Sequence, residues 1–355
     1  MKNLKRRNFI KSVGLATVAS ATGMGSIIAT SCKTKRKSSE IVNKRDAVFG
    51  LLSGDKTQEY YPVGIFKHFG KGHKFGDIAV KTHMEYFRFT GIDFVKIQYE
   101  QSFPRLDIIQ KPSDWLKMPF YKKDYYKDQL YVVKELVKKG KSLAPVIATI
   151  YSPFMCAGHT ASKKIVVEHL NQDPDKVKKG MEIITDSLLI FAKECIKLGV
   201  DGFLASTQGG DATTFQGSNI FSEYIKPADL VVMNEINNVC DCNILHICDE
   251  GGDYDDLTPF LDYPGQIINC STKVGDKWLT PSDLYNFFGR TFMGGMKKRG
   301  VIPNGTKQEI HDKVSKVLDT APERFILGTD CTVPLDTDWK NIKKAVETAH
   351  SYQGK

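Results

Sequence analysis

The sequence predicts one (β/α)8 barrel, an α/β fold of a single domain, over residues 45–355. Three observations carry this reading. Short runs rich in β-branched and aromatic residues alternate with longer amphipathic segments, which is the pattern of parallel βα units. Eight such units follow one another, and no long linker or compositional break divides them after residue 45. Eight strands, each followed by a helix, close into one barrel, the alternative being an open doubly wound sheet.

Taken in order, the first strand is expected at 60–66, around Val63-Gly64-Ile65-Phe66, and the second at 94–99, Phe-Val-Lys-Ile-Gln-Tyr. The third at 144–150, the fourth at 202–206, the fifth at 243–248, the sixth at 266–270 and the eighth at 324–329 are short apolar runs, as strands of a parallel sheet buried on both faces should be. The seventh, near 292–301, is the most poorly marked. Helix starts are clearer. Asp173-Pro174 precedes 175–198, with proline in the first turn and Gly199 as the stop, and Thr280-Pro281-Ser282-Asp283 and Asn304-Gly305-Thr306 open two later helices.

The formal charge of +9 lies entirely in the leader. Residues 1–44 hold ten basic residues against Glu40 alone, so the remaining chain has forty of each sign. A neutral domain sets up no global field for polyanions, which argues against nucleic acid as a partner. The leader reads Arg6-Arg7-Asn8-Phe9-Ile10-Lys11 and then a weakly apolar stretch to Ser31. This pattern predicts a twin-arginine export signal over 1–31. Cys32 follows Ile28-Ala29-Thr30-Ser31 as the acylated cysteine of a lipoprotein would, and 32–44 would then be a polar, basic tether. The expected location is the periplasm, free or membrane-anchored through Cys32.

Eight cysteines, an even number in an exported chain, raise the question of disulfides, which the sequence leaves open for Cys156, Cys195, Cys240, Cys242 and Cys270. Three residues suggest a metal instead. His246 and Cys248 are two apart on one expected strand, so their side chains share a face. Cys331 follows the eighth strand, and the carboxyl ends of the fifth and eighth strands of a barrel open on the same rim. Two sulfurs and an imidazole suit Zn2+ with an open position for substrate. A rival set of Cys240, Cys242, His246 and Cys248 is weakened because its first two members precede the strand and belong near its other end. Glu100, at a strand's end, is a candidate fourth ligand or proton acceptor, and Asp330 a candidate to tune the site from beside Cys331. Tyr151 and the loop histidines His68 and His159 are candidate substrate contacts, and His73 lies in a similar rim loop.

Most of residues 45–350 resembles the uroporphyrinogen decarboxylase superfamily. The segments that carry the resemblance are Thr149-Ile150-Tyr151-Ser152-Pro153-Phe154, Leu198-Gly199-Val200-Asp201-Gly202, Phe221-Ser222-Glu223-Tyr224-Ile225-Lys226-Pro227, Leu245-His246-Ile247-Cys248 and Leu327-Gly328-Thr329-Asp330-Cys331. The superfamily's zinc-dependent methylcobamide:coenzyme M methyltransferase branch uses a His-x-Cys pair and a distant cysteine as zinc ligands. The resemblance therefore implies that His246, Cys248 and Cys331 hold zinc, and that a methyl group passes between a corrinoid or methylated small molecule and a thiol. The decarboxylase branch implies arginines after the first strand and an aspartate after the second. Here those places read Phe66-Lys67-His68-Phe69-Gly70 and Gln98-Tyr99-Glu100, a departure that favours the methyltransferase expectation over decarboxylation of a tetrapyrrole or other carboxylated substrate. A non-catalytic lipoprotein that binds a tetrapyrrole or corrinoid is the third reading.

Overall fold

The computed structural model describes residues 42–54, 58 and 60–354. The expected signal over 1–31, Cys32 and most of the tether lie outside the described residues. Val42–Lys355 is one compact unit. Its first helix, Lys44–Ser53, starts where the Asn43 side chain accepts the backbone N–H groups of Arg45 and Asp46, so the last residue assigned to the tether is already helical.

Eight parallel strands build the barrel: β1 Val63–Gly64, β2 Val95–Ile97, β3 Val146–Tyr151, β4 Gly202–Thr207, β5 Ile244–Ile247, β6 Ile267–Cys270, β7 Thr291–Met296 and β8 Phe325–Thr329. They run in the order β1-β8-β7-β6-β5-β4-β3-β2. A small hairpin of Lys273–Val274 and Lys277–Trp278 stands apart after β6. All eight expected strands are present. The seventh is corrected: it stops at Met296, and Val301 belongs to the short helix Val301–Asn304, whose Pro303 has no amide hydrogen to give a strand ladder.

The expected helix signals act as read. Asp173 accepts the N–H of Lys176 at the head of Pro174–Leu198, and Gly199, at φ 94°, ends that helix in the left-handed conformation only glycine adopts readily. Thr280 with Asp283 and Thr306 with Glu309 form capping boxes on Pro281–Phe288 and Lys307–Leu318. The start of β4 needs a glycine for space. A Cβ on Gly202 would sit 1.9 Å from the carbonyl oxygen of Cys242, inside the neighbouring segment's backbone.

Between β1 and β2, Asp93 does the joining, through its backbone and its side chain. Asp93, just before β2, donates its N–H to Val63 O at 2.9 Å and accepts the Val63 N–H on Oδ2 at 2.7 Å. The same carboxylate takes the Tyr60 hydroxyl at 2.7 Å, His350 Nε2 at 2.8 Å and Lys44 Nζ at 3.2 Å. Higher up, Gln98 Nε2 donates to Lys67 O across the same gap.

Inside the barrel the lower half is apolar, with Phe66, Phe94, Ile147, Leu204, Ile244, Ile267, Met293 and Ile326 packed together. Above them the buried residues turn polar: Lys96, Gln98, Thr149, Ser206, His246 and Asn269. Asn269 ties this layer together, donating from Nδ2 to Met293 O and Thr329 O at 2.8 and 2.9 Å.

One buried carboxyl lies outside the barrel, between β4 and the helix Lys226–Asn237. Asp229 accepts the hydroxyls of Thr207 and Tyr263, while its Oδ1 has no partner. Burial pushes this group up to about 7, with the two hydroxyls acting in the opposite direction. A carboxyl raised in the folded state favours folding most when protonated, so its contribution is present below about 4 and lost as pH climbs toward 7. Asp229→Asn should therefore gain on the native protein with rising pH, by on the order of a few kcal/mol at most between pH 4 and 8. Urea midpoints of both proteins at those two pH values measure it; a constant difference would contradict the assignment.

Candidate metal centre

The fifth and eighth strands bring three side chains together at the barrel's carboxyl rim. One ligand atom from each of His246, Cys248 and Cys331 lies within 4.8 Å of the others, and no other cluster of this kind occurs among the described residues. His246 is buried inside β5, in register with Ser206 of β4 and Asn269 of β6. Cys248 is the first residue beyond β5; its N–H bonds Thr207 O at 3.0 Å and its carbonyl accepts the Tyr254 hydroxyl at 3.1 Å. Cys331 is fixed through its backbone. Its N–H reaches Asp330 Oδ1 at 3.0 Å and its carbonyl accepts the Thr329 hydroxyl at 2.6 Å.

The two thiols behave as a pair. The hydrogen bond with Cys331 favours the Cys248 thiolate, burial opposes it and Gln208 Nε2, 3.3 Å from the sulfur, adds its support, so Cys248 is held down to about 7. Cys331 shifts the other way because its neighbour takes the negative charge first. The His246 ring is buried beside Cys331 and Asn269, and its Nδ1 has no hydrogen-bond partner. Two sulfurs, one of them easily ionised, and a buried imidazole within 4.8 Å of them form a donor set that fits zinc.

The triad opens into a cavity of about 440 Å3, whose wall includes His68, Tyr151 and His159. These three residues, expected as substrate contacts, line the same cavity as the triad. The cavity is of the size that takes a small ligand. Burial keeps His159 toward its neutral form, and its Nδ1 has no partner.

Other expectations resolve differently. Glu100 is engaged by Lys74 at 2.8 Å and His68 at 3.4 Å rather than grouped with the triad. Burial raises it, but those two partners outweigh this and leave it below the usual carboxylate range. Asp330 accepts the Lys298 and Cys331 N–H groups, which makes it a backbone clamp beside the triad. His73 bonds the Thr82 hydroxyl at 2.8 Å. Cys240 and Cys242 are buried away from the triad, and the seven cysteines among the described residues are all free thiols.

Sequence reasoning missed Gln208, Lys298 and Lys96. Gln208 follows β4 and Lys298 follows β7, so the same rim rule that found Cys331 also points to them. Lys298 Nζ bridges Asp249 and Glu250, each at 2.7 Å. Lys96 carried its own signal, a charged residue inside the run Val95-Lys96-Ile97. Burial brings its ammonium down to about 7 against the pull of Cys331 and Glu100.

With this geometry in place, the likenesses to known proteins fall into a pattern. A methylated-thiol–coenzyme M methyltransferase of Methanosarcina mazei is 26% identical over 219 residues, 61% of this chain and 56% of that protein. The matched stretch thus spans little more than half of that relative. A uroporphyrinogen decarboxylase of Aquifex aeolicus is 21% identical over 267 residues, 73% of this chain and 74% of its own. Among solved structures, a methyltransferase from Methanosarcina mazei superposes with a TM-score of 0.66 at 14% identity, over 86% of this chain and 98% of that one. A B12-independent methionine synthase from Shewanella sp. W3-18-1 gives 0.52 at 12% identity, over 82% and 96%. Both structures share the fold. The family model for uroporphyrinogen decarboxylase (URO-D) matches residues 91–352, and the chain belongs to that family.

Proposed function

We propose that this protein is a zinc-dependent methyltransferase that moves a methyl group between a corrinoid or methylated small molecule and a thiol, with His246, Cys248 and Cys331 as the zinc ligands. The observation that carries the proposal is the convergence of one imidazole nitrogen and two sulfurs within 4.8 Å at the rim of the barrel. The likeness to a methylated-thiol methyltransferase supports it at the level of the family. Zinc held there would acidify a substrate thiol enough for the thiolate to form near neutral pH.

The chain's own residues prepare the site. Gln208 fixes the Cys248 sulfur, and Asp330 and Thr329 fix the backbone of Cys331, so the sulfurs are placed before a ligand arrives. His159, neutral and with a free Nδ1, is the group on the cavity wall that can take up a proton released by a bound thiol. The Arg6-Arg7 leader and Cys32 support the further proposal that the protein acts outside the cytoplasm, with or without a lipid anchor.

Elemental analysis of protein purified without chelators should find stoichiometric zinc. Mixing that protein with methylcobalamin and a panel of small thiols should bleach the methyl-corrinoid absorbance. Absence of zinc overturns the proposal; zinc with corrinoid binding and no methyl transfer to any thiol would favour a binding lipoprotein instead.

A further inference from the structure

A second cavity, of about 500 Å3, lies outside the barrel wall and contains none of the triad. The local chain explains it. After β6 the backbone detours through the hairpin of Lys273–Val274 and Lys277–Trp278, and the helix that follows, Pro281–Phe288, is only eight residues long. The gap left between that short helix and the next one, Lys307–Leu318, is the cavity, with the end of β7 in its wall. Gly295, at φ 91°, lets the second helix close on the strand, since a Cβ there would stand 2.5 Å from a Val317 methyl. Lys298 and Arg299 line the rim cavity while Met296, Lys297 and Gly300 line this one, so a single strand end separates the two.

The outer cavity has two kinds of surface. Leu279, Met296, Val301 and Val317 make an apolar bed, and Trp278, 59% exposed, joins them with much of its ring in water. Lys297, Lys313 and Lys316 line the same space, and among the described residues no carboxylate does. The acids nearest in sequence are engaged elsewhere: Glu309 caps its own helix, Asp312 takes Gln308 and His311, and Asp319 takes the Tyr352 hydroxyl at 2.6 Å. Lys297 instead holds its Nζ 3.8 Å from the Trp278 ring centroid. None of the three ammonium groups forms an ion pair with a carboxylate among the described residues, in a domain whose charges otherwise balance. Like charges gathered around an apolar bed create a local positive potential. An organic anion answers both surfaces at once, its acid against the lysines and its body on the bed.

We propose that this outer cavity binds an amphiphilic organic anion, a small molecule with an apolar body and one acidic group, in which Trp278 and its apolar neighbours cover the body and the three lysines supply the counter-charge. A small molecule fits better than a protein segment, because the volume is that of a ligand cleft and hairpin, strand end and helix all contribute walls. The proposal is independent of the metal and of methyl transfer.

Octanoate and octanamide differ in charge and hardly in shape, which makes them the probes. Calorimetry on the full chain should show saturable octanoate binding roughly tenfold tighter than octanamide binding, the combined worth of a few exposed charge contacts. The preference should shrink as salt is raised to about 0.5 M, where exposed charges are screened. Tryptophan fluorescence should change with the same midpoint, and Trp278→Phe should abolish that signal. The triple variant Lys297→Gln, Lys313→Gln, Lys316→Gln changes only exposed positions and should bring the two probes to equal affinity. Failure of octanoate to saturate, or a preference unchanged in the triple variant, overturns the proposal. So does a preference lost in Cys331→Ser, which would put the anion at the triad, and so does self-association that shields Trp278, which would give this face to a second copy of the chain.

Discussion

Cys331→Ser and His246→Ala should each strip the protein of zinc and of any methyl transfer, while Cys240→Ser should leave both intact. Three protein donors leave no redundancy. Loss of a residue that merely orients a ligand already lowers metal affinity 10- to 100-fold, so loss of a ligand should cost roughly a hundredfold or more. The two sulfurs differ in their supports, since Gln208 holds Cys248 by its side chain and Asp330 holds Cys331 by its backbone. Serine at 331 keeps the backbone clamp and removes only the soft donor. Competition with a chromophoric chelator gives the affinities, and thermal unfolding with and without added zinc gives a second reading, because a ligand bound only to the native state raises its stability. Retention of zinc by Cys331→Ser together with its loss from Cys240→Ser would move the site to the local cysteine cluster.

Asp93→Ala should be the most damaging single change away from the rim. It removes a fully buried carboxylate whose partners come from three distant parts of the chain: Lys44 and Tyr60 before β1 and His350 in the last helix. It also leaves the Val63 N–H without its side-chain acceptor between β1 and β2. Breaking a buried pair by deleting one partner costs about 3–5 kcal/mol. The sign with pH is fixed by the shift. Burial raises Asp93, but His350, Lys44 and Tyr60 together outweigh it and hold the group below its ordinary value. A carboxylate depressed in the native state stabilises above its unfolded pKa and loses that contribution as pH falls through the folded one. The gap between native protein and variant should be full at neutral pH and close in acid, below about pH 4. Denaturant midpoints across that range decide it, and a gap that persists unchanged in acid would point to lost packing instead.

The barrel was legible because each strand is a short apolar run bounded by helix signals, and those signals act locally. Asp173-Pro174 and Thr280-Pro281-Ser282-Asp283 open helices by hydrogen bonds that span three residues. β7 was the hardest strand to delimit because Gly294 and Gly295 occupy its middle and contribute no side chain to a pattern. The candidate metal triad was half legible from the two-residue period of β5, and Cys331 joined it through the rule that barrel strands end on one rim. What stayed hidden depends on long-range partners. Glu100 offers itself as a ligand by residue type, and only the folded chain shows it spent on Lys74 and His68. The bond from Asp93 to His350 spans 257 residues and leaves no local trace.

The apolar lower half of the barrel has a kinetic consequence. Among the described residues, Phe66, Phe94 and Met293 fill the interior beneath the polar layer and close the floor of the barrel. On the proposed methyl-transfer reading, two reactants that meet above Cys248 and Cys331 would enter by the rim cavity, so the one that sits deeper would have to arrive first and depart last. Steady-state kinetics should then follow a compulsory order, with the bulkier reactant acting as a cork when it arrives out of turn.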